Sequence, residues 1–241
     1  MIRLPEDRPT LLLTRPRAGS ERFAQQFRGR FGADWPVLIA PLLEIVPTGA
    51  ALPEAENLIF TSEQAVAPVA AISAPGGRRA YCVGTRTGEA ARAAGFAVIE
   101  GPGDGAALAE LIRAAPPGGK LLHARGAEVA FPMAEVLNSA GIETIEAVVY
   151  RQEPQPPGAE LRAALAAEAP LLVPVFSPRS GRLLVAAARG ACAPLWLAPL
   201  SPAIAQSCAA LPTARCEVAL RPDAEALLEA LQRLIGAGEA G

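Results

Sequence analysis

Short apolar runs alternate along this chain with longer segments in which Ala, Leu and Val recur at helical spacing among polar residues. "TLLLT" leads into "GSERFAQQFRGRFG", "NLIFT" into "SEQAVAPVAAIS", "AYCVG" into "TRTGEAARAAG", and "KLLHA" into "AEVAFPMAEVLNSAG". Further on, "LLVPVFS" precedes "PRSGRLLVAAARG", "PLWLA" precedes "PLSPAIAQSCAAL", and "CEVAL" precedes "DAEALLEALQRLIG". Apolar strands of about five residues, each followed by a helix of about three turns, predict a parallel sheet covered on both faces. The class is α/β.

Gly32, Gly95, Gly141 and Gly190 stand where helices should stop, and Ser, Thr or Asp stands before several of them as a cap. "TSEQ" at Thr61 reads as a capping box, in which Thr61 accepts from a first-turn N–H and Gln64 reaches back. Two segments break the rhythm. Val37 to Gly49 and Ile142 to Gly158 are long, rich in β-formers, and followed by Pro and Gly rather than by immediate helices. They predict a two-stranded tether between domains. The chain then divides into a discontinuous α/β domain (1–38 and 154–241), a linker (39–49 and 142–153) and an inserted α/β domain (50–141).

An internal echo supports two similar halves: "IFTSEQAV" with "YCVGTRTGEAA" resembles "VFSPRSGRL" with "LWLAPLSPAIA". Paired α/β halves commonly bind small molecules in the cleft between them. The formal charge is only −2, with acidic and basic residues interspersed, so no global field for nucleic acid or an anionic membrane exists. Any anion must be met locally. Four cysteines (Cys82, Cys192, Cys208, Cys216) form no CxxC pair, and with His123 as the lone histidine neither a metal site nor a disulfide framework is suggested. Buried, reduced thiols are expected. "MIRLPEDRPT" lacks the apolar core of a signal peptide, and no apolar run is long enough to span a membrane, so a cytoplasmic protein is expected. "EGPGDGAALAE" does not fit a dinucleotide fingerprint and reads as a loop with Asp104 as a cap.

In order, "LLLTRPR", "PLLEIVP", "LIFTSEQAV", "YCVGTRTGEAARAAGF", "LLHARG", "GIETIEAVVYRQ", "VFSPRSG" and "LAPLSPAIA" give the whole chain a likeness to one family. It resembles the uroporphyrinogen-III synthases. The resemblance implies two small parallel-sheet, flavodoxin-like α/β domains joined by a two-stranded β ladder. It also implies a lyase that closes linear hydroxymethylbilane into uroporphyrinogen III, with loss of water and inversion of ring D through a spirocyclic intermediate, in the cleft between the domains. No cofactor and no metal are implied. The partner is the small-molecule substrate, with a transient hand-over from hydroxymethylbilane synthase, no nucleic acid, no membrane, and a monomeric state. The chain departs from the family in two places. "TGAALPEAEN" is short where a helix is usual, and "LAPLS" puts Ala198 in place of Gly and Leu200 in place of Thr.

The octa-anionic substrate suits helix N-termini, whose unpaired N–H groups and dipole favour carboxylates. On that reading Thr14, Thr61, Ser62, Gln64, Gly84, Thr87, Ser177, Ser180 and Ser201 bind substrate; ordinary helix capping is the alternative for each. Arg15 and Arg125, with Gly126 beside the latter, are candidates to meet a carboxylate, with surface or cap roles as the alternative. Arg17 is a candidate of the same kind, and Arg86 and Arg179, inside helix-opening turns, are secondary ones. Tyr150 matches the Tyr of the family's V-Y-R motif and is the expected catalytic residue, as acid or hydrogen-bond donor to the departing hydroxyl; by its position alone it would be a packing residue. His123 reads as structural or as acting through a neighbour, and Glu143 and Glu146 as solvated strand-edge residues. Two other classes remain open: a non-enzymatic hinged module that binds an anionic small molecule, and a flavodoxin-like nucleotide or flavin binder.

Overall fold

The computed structural model describes residues 8–239, and the chain separates into two units. Unit 1 combines the chain up to Glu44 with the chain from Pro154 onward; unit 2 is Ile45–Glu153. Elements are numbered along the chain. Unit 1 holds β1 (Thr10–Leu13), α1 (Arg17–Phe31), β2 (Val37–Ile39), α6 (Ala159–Ala166), β9 (Leu171–Val175), α7 (Pro178–Ala187), β10 (Leu195–Pro199), α8 (Pro202–Ser207), β11 (Thr213–Cys216) and α9 (Ala224–Glu239). Its strands lie in the order β11-β10-β9-β1-β2, and every pairing is parallel.

Unit 2 holds β4 (Asn57–Phe60), α2 (Val66–Ile72), β5 (Arg79–Cys82), α3 (Thr85–Ala93), β6 (Ala97–Glu100), α4 (Gly105–Ala114), β7 (Leu121–Gly126) and α5 (Met133–Ser139). Two further strands, β3 (Leu43–Pro47) and β8 (Thr144–Pro154), run across the boundary between the units. The sheet order is β3-β8-β7-β4-β5-β6, parallel from β8 to β6. Thr48 N–H donates to the Val149 carbonyl and Gln155 N–H to the Leu42 carbonyl, so β3 and β8 run antiparallel.

Strand for strand, β6-β5-β4-β7-β8 matches β11-β10-β9-β1-β2. In each sheet the chain first steps outward from a central strand, then crosses back to that strand's other side. That reversal fixes which face each helix covers, because parallel crossovers are right-handed. In unit 2, Leu58 and Phe60 pack with Val66, Val69 and Ala91 of α2 and α3, while Ile59 packs with Leu108, Ile112 and Leu137 of α4 and α5. In unit 1, Leu11 and Leu13 pack with Phe23 and Phe27 of α1 and with Leu227 and Leu231 of α9. Leu12 faces Leu161, Leu184 and Ile204 of α6, α7 and α8. Alternating strand residues thus fill both faces, which is why these strands read as continuous apolar runs.

The four glycines expected at helix stops all carry φ between +74° and +120°. Other expectations need correction. "CEVAL" is not a regular strand: β11 lies earlier, and Glu217 and Ala219 only extend it through N–H bonds to the Leu197 and Pro199 carbonyls. β6, α4 and α6 were not expected. Residues 48–56, where the family usually has a helix, contain none. All four cysteines are free, but only Cys82 and Cys208 are buried; Cys192 and Cys216 are exposed. Burial pushes the Cys82 thiol up to about 12, so it is inert. Among the described residues no helix is long and apolar enough to cross a membrane, and no cluster could hold a metal ion.

Candidate functional site

A sheet whose strand order reverses leaves a crevice beyond the carboxyl ends of the strands flanking the reversal, because adjacent connections leave to opposite faces. Here those pairs are β4 with β7 in unit 2 and β9 with β1 in unit 1. In unit 2, Thr61, Ser62 and Gln64 follow β4, and Arg125 and Gly126 end β7. Tyr150 pairs with Gly126, and Gly84 and Thr87 open α3 after β5. In unit 1, Thr14 and Arg15 follow β1, Ser177 and Ser180 follow β9, and Ser201 follows β10. Each set therefore sits on the carboxyl edge of its own sheet.

The capping in unit 2 differs from the expected box. Ser62, not Thr61, is the cap: its Oγ accepts from Gln64 N–H at 3.3 Å, opening a short 3₁₀ turn (Glu63–Ala65) before α2. The Gln64 side chain turns to Glu63 instead of reaching back. Thr61 Oγ1 lies 3.0 Å from Nε2 of His123, which is 1% exposed. His123 Nδ1 lies 3.2 Å from Glu146 Oε1, and Arg125 Nη2 donates to Glu146 Oε2 at 2.9 Å. A second Arg125 nitrogen, Nη1, donates to the Gly126 carbonyl at 2.9 Å, while its Nε is buried without a partner. Glu146 is exposed, as expected, but it is not idle: both of its carboxylate oxygens are engaged. Glu143, also exposed, pairs with Lys120.

His123 and Glu146 were undervalued because their meeting depends on register: parallel pairing of β7 with β8 sets His123 opposite Glu146. Burial pushes the His123 imidazolium down, partly offset by Glu146 and reinforced by Arg125. Burial raises the Glu146 carboxyl, but its bonds to Arg125 and His123 outweigh this and hold it below the ordinary value. Both folded pKa values are lowered, so below their unfolded values the unfolded state binds more protons. Their stabilisation is complete above pH 6.5 for His123 and above 4.5 for Glu146, and is lost as the pH falls below each. The urea midpoint should fall on acidification from neutral pH, and His123→Gln should remove the earlier part of that fall.

Tyr150 is 8% exposed, and a bulge in β8 aims it: Arg125 pairs with Val148 but Gly126 with Tyr150, so Val149 and Tyr150 both join the core on the α2 and α3 face. The phenol ring then lies on the Gly126 backbone. A Cβ at 126 would sit 2.7 Å from Tyr150 Cζ and 2.9 Å from its hydroxyl oxygen. Gly126→Ala should therefore cost about 1–3 kcal/mol in urea unfolding and displace the phenol, since overpacking forces neighbours off their rotamers.

In unit 1, Ser177 caps α7 through Ser180 N–H at 3.1 Å and also meets the Ser180 hydroxyl at 2.9 Å. Ser201 caps α8 through Ile204 N–H. The Arg15 guanidinium stacks 4.2 Å over the Phe176 ring and passes close over Gly19, where a Cβ would be 2.7 Å from its Nε. Thr14 is buried, its carbonyl accepting from Leu42 N–H. Gly84 caps α3 with extended backbone and no side chain, close to Gly103, and Thr87 is buried in the first turn of α3.

A family model described as uroporphyrinogen-III synthase HemD matches residues 21–229, most of the chain. The chain belongs to the uroporphyrinogen-III synthase family. A solved structure agrees with that family's fold: uroporphyrinogen-III synthetase from Helicobacter pylori 26695 matches with a TM-score of 0.62 at 17% identity, over 94% of this chain and 99% of that one. A mutant uroporphyrinogen III synthase from the extremely thermophilic bacterium Thermus thermophilus matches at 12% identity over 95% and 99%, with a TM-score of 0.49. None of the curated proteins matches by sequence. The two parallel-sheet units described above are the α/β architecture expected of the family.

Proposed function

We propose that this chain is a uroporphyrinogen-III synthase, a cyclising lyase that closes hydroxymethylbilane with loss of water and inversion of ring D. The family match over residues 21–229 carries the reading. The arrangement of the molecule suits the chemistry. Loss of hydroxide from an electron-rich pyrrole needs a proton and stabilisation of the azafulvenium that forms; forcing attack from the substituted carbon of ring D is a matter of positioning. Neither task requires a metal or an organic cofactor.

In this reading the Tyr150 hydroxyl gives its proton to the departing hydroxyl, which leaves as water, and is reprotonated by the hydrogen that ring D loses on closure. The helix-opening turns on the carboxyl edge of each sheet receive carboxylates: Ser62, Gln64, Gly84 and Thr87 in unit 2, Thr14, Ser177, Ser180 and Ser201 in unit 1. Arg15, held flat on Phe176, and Arg125, held by Glu146, add guanidinium donors. Residues 39–49 and 142–153 serve as the linker. The protein works in the cytoplasm as a monomer and takes its unstable substrate by transient hand-over from hydroxymethylbilane synthase.

Freshly made hydroxymethylbilane, incubated with the protein and oxidised, gives the test. Spontaneous closure yields isomer I, so accumulation of isomer III is expected; isomer I alone would sink the assignment.

A further inference from the structure

Thr61, His123, Glu146 and Arg125 form one continuous hydrogen-bonded chain at the strand-order reversal of unit 2. Its polarity is determined from one end. Arg125 has only donors, so Glu146 Oε2 accepts from it, and an ionised Glu146 can also only accept through Oε1. The proton of neutral His123 therefore sits on Nδ1. Nε2 is left as an acceptor, and its partner at 3.0 Å, the Thr61 hydroxyl, must supply the hydrogen. Thr61 is only half-buried, and with its hydrogen committed inward its oxygen offers lone pairs alone to anything beyond β4.

We infer that Thr61 is an acceptor-only contact for a pyrrole N–H of the substrate, and that His123 and Glu146 are positioning residues that impose this polarity. The inference rests on the synthase reading and revises it at one residue. An ionised carboxylate has no hydrogen to give, so Thr61 as held here cannot receive one. Ser62 can: its Oγ accepts from Gln64 N–H and keeps its own hydrogen to donate. Adjacent hydroxyls thus sort the two kinds of group the substrate carries, and the electron-rich Thr61 oxygen also suits a pyrrole nitrogen that becomes cationic as hydroxide leaves.

His123 is the sole histidine, so its two ring nitrogens give one unambiguous set of signals in the ¹⁵N-labelled protein. Above neutral pH, a protonated Nδ1 and an unprotonated Nε2 are expected; the opposite tautomer would overturn the inference. Glu146→Gln then reverses the chain at constant shape. Arg125 still demands an oxygen, which turns the new amide NH₂ toward Nδ1 and forces the proton to Nε2, so Thr61 becomes an outward donor. The tautomer signals should exchange, and kcat/KM for isomer III should fall about tenfold or more, the cost of leaving a donor facing a donor. An exchanged tautomer with unchanged kinetics refutes the proposal while leaving the synthase reading intact. Wild-type protein that makes isomer I alone sinks both. Should Glu146→Gln not fold, Thr61→Ser, which keeps the acceptor, should retain most activity, and Thr61→Val should lose it about tenfold; equal activities refute the proposal.

Discussion

Tyr150→Phe is expected to lower isomer-III formation on the order of 10²-fold while leaving the fold unchanged, because positioned proton donors typically contribute roughly 10²–10⁴-fold. The substitution removes one oxygen and keeps the ring that packs on Gly126 and in the core beside α2 and α3. Urea unfolding should accordingly stay close to wild type, which separates a chemical role from a packing one. Rate of isomer-III formation at saturating substrate is the measurement. Undiminished turnover would remove Tyr150 from the mechanism and leave it as a buried ring aimed by a bulge.

The largest loss of stability is expected from Phe27→Ala in α1. Phe27 is fully buried, and its ring meets Phe31 at 4.4 Å and Trp35 at 5.4 Å between centroids. Truncating it leaves a cavity that rigid neighbours only partly fill, at a cost of about 3–5 kcal/mol. That is a large share of an ordinary domain's stability of about 5–15 kcal/mol. The sequence supplies separate reporters: both tryptophans, Trp35 and Trp196, lie in unit 1, and both tyrosines, Tyr81 and Tyr150, lie in unit 2. Tryptophan fluorescence should show a urea midpoint lowered by about 2 M at an ordinary slope. A shift of a few tenths of a molar would show that the aromatic cluster repacks freely.

What could be read in the sequence was whatever depends on near neighbours. "TLLL", "NLIF" and "LLVPV" are apolar on both faces because helices cover both faces, so strand and class were visible at once. β6 was missed because Ala97–Glu100, no shorter than β1 or β4, lies at the edge of its sheet with no fully buried residue and so lacks their continuous apolar run. Gly105 concealed the start of α4, since its lack of a side chain is used against Phe131, where a Cβ would come within 2.9 Å. Asp104 gave the correct cap even so, accepting from Ala107 N–H.

The candidate site was legible as a set of turns but not as a set of bonds. Thr61 looked like a cap because its local context fits one, whereas its actual partner is 62 positions away. No local rule places His123 opposite Glu146; that follows from parallel register between β7 and β8. The strand-order reversals, which group the turns in each sheet, likewise become visible only when strand neighbours are known. Family likeness pointed to these positions without supplying the reason for them.

The two matching sheets differ in how the chain supplies them, and this affects the order in which the nascent protein can fold. The strands β4 to β8 follow one another in sequence, so unit 2 can assemble before the segment from Pro154 onward has been made. β1 cannot be completed in this way, because one of its two neighbours is β9, which begins about 160 residues later. Leu11, Leu12 and Leu13, fully buried in the finished protein, must therefore wait without that partner until Leu171–Val175 emerges. A strand made early is thus enclosed late, and its three leucines form an open apolar run in the meantime.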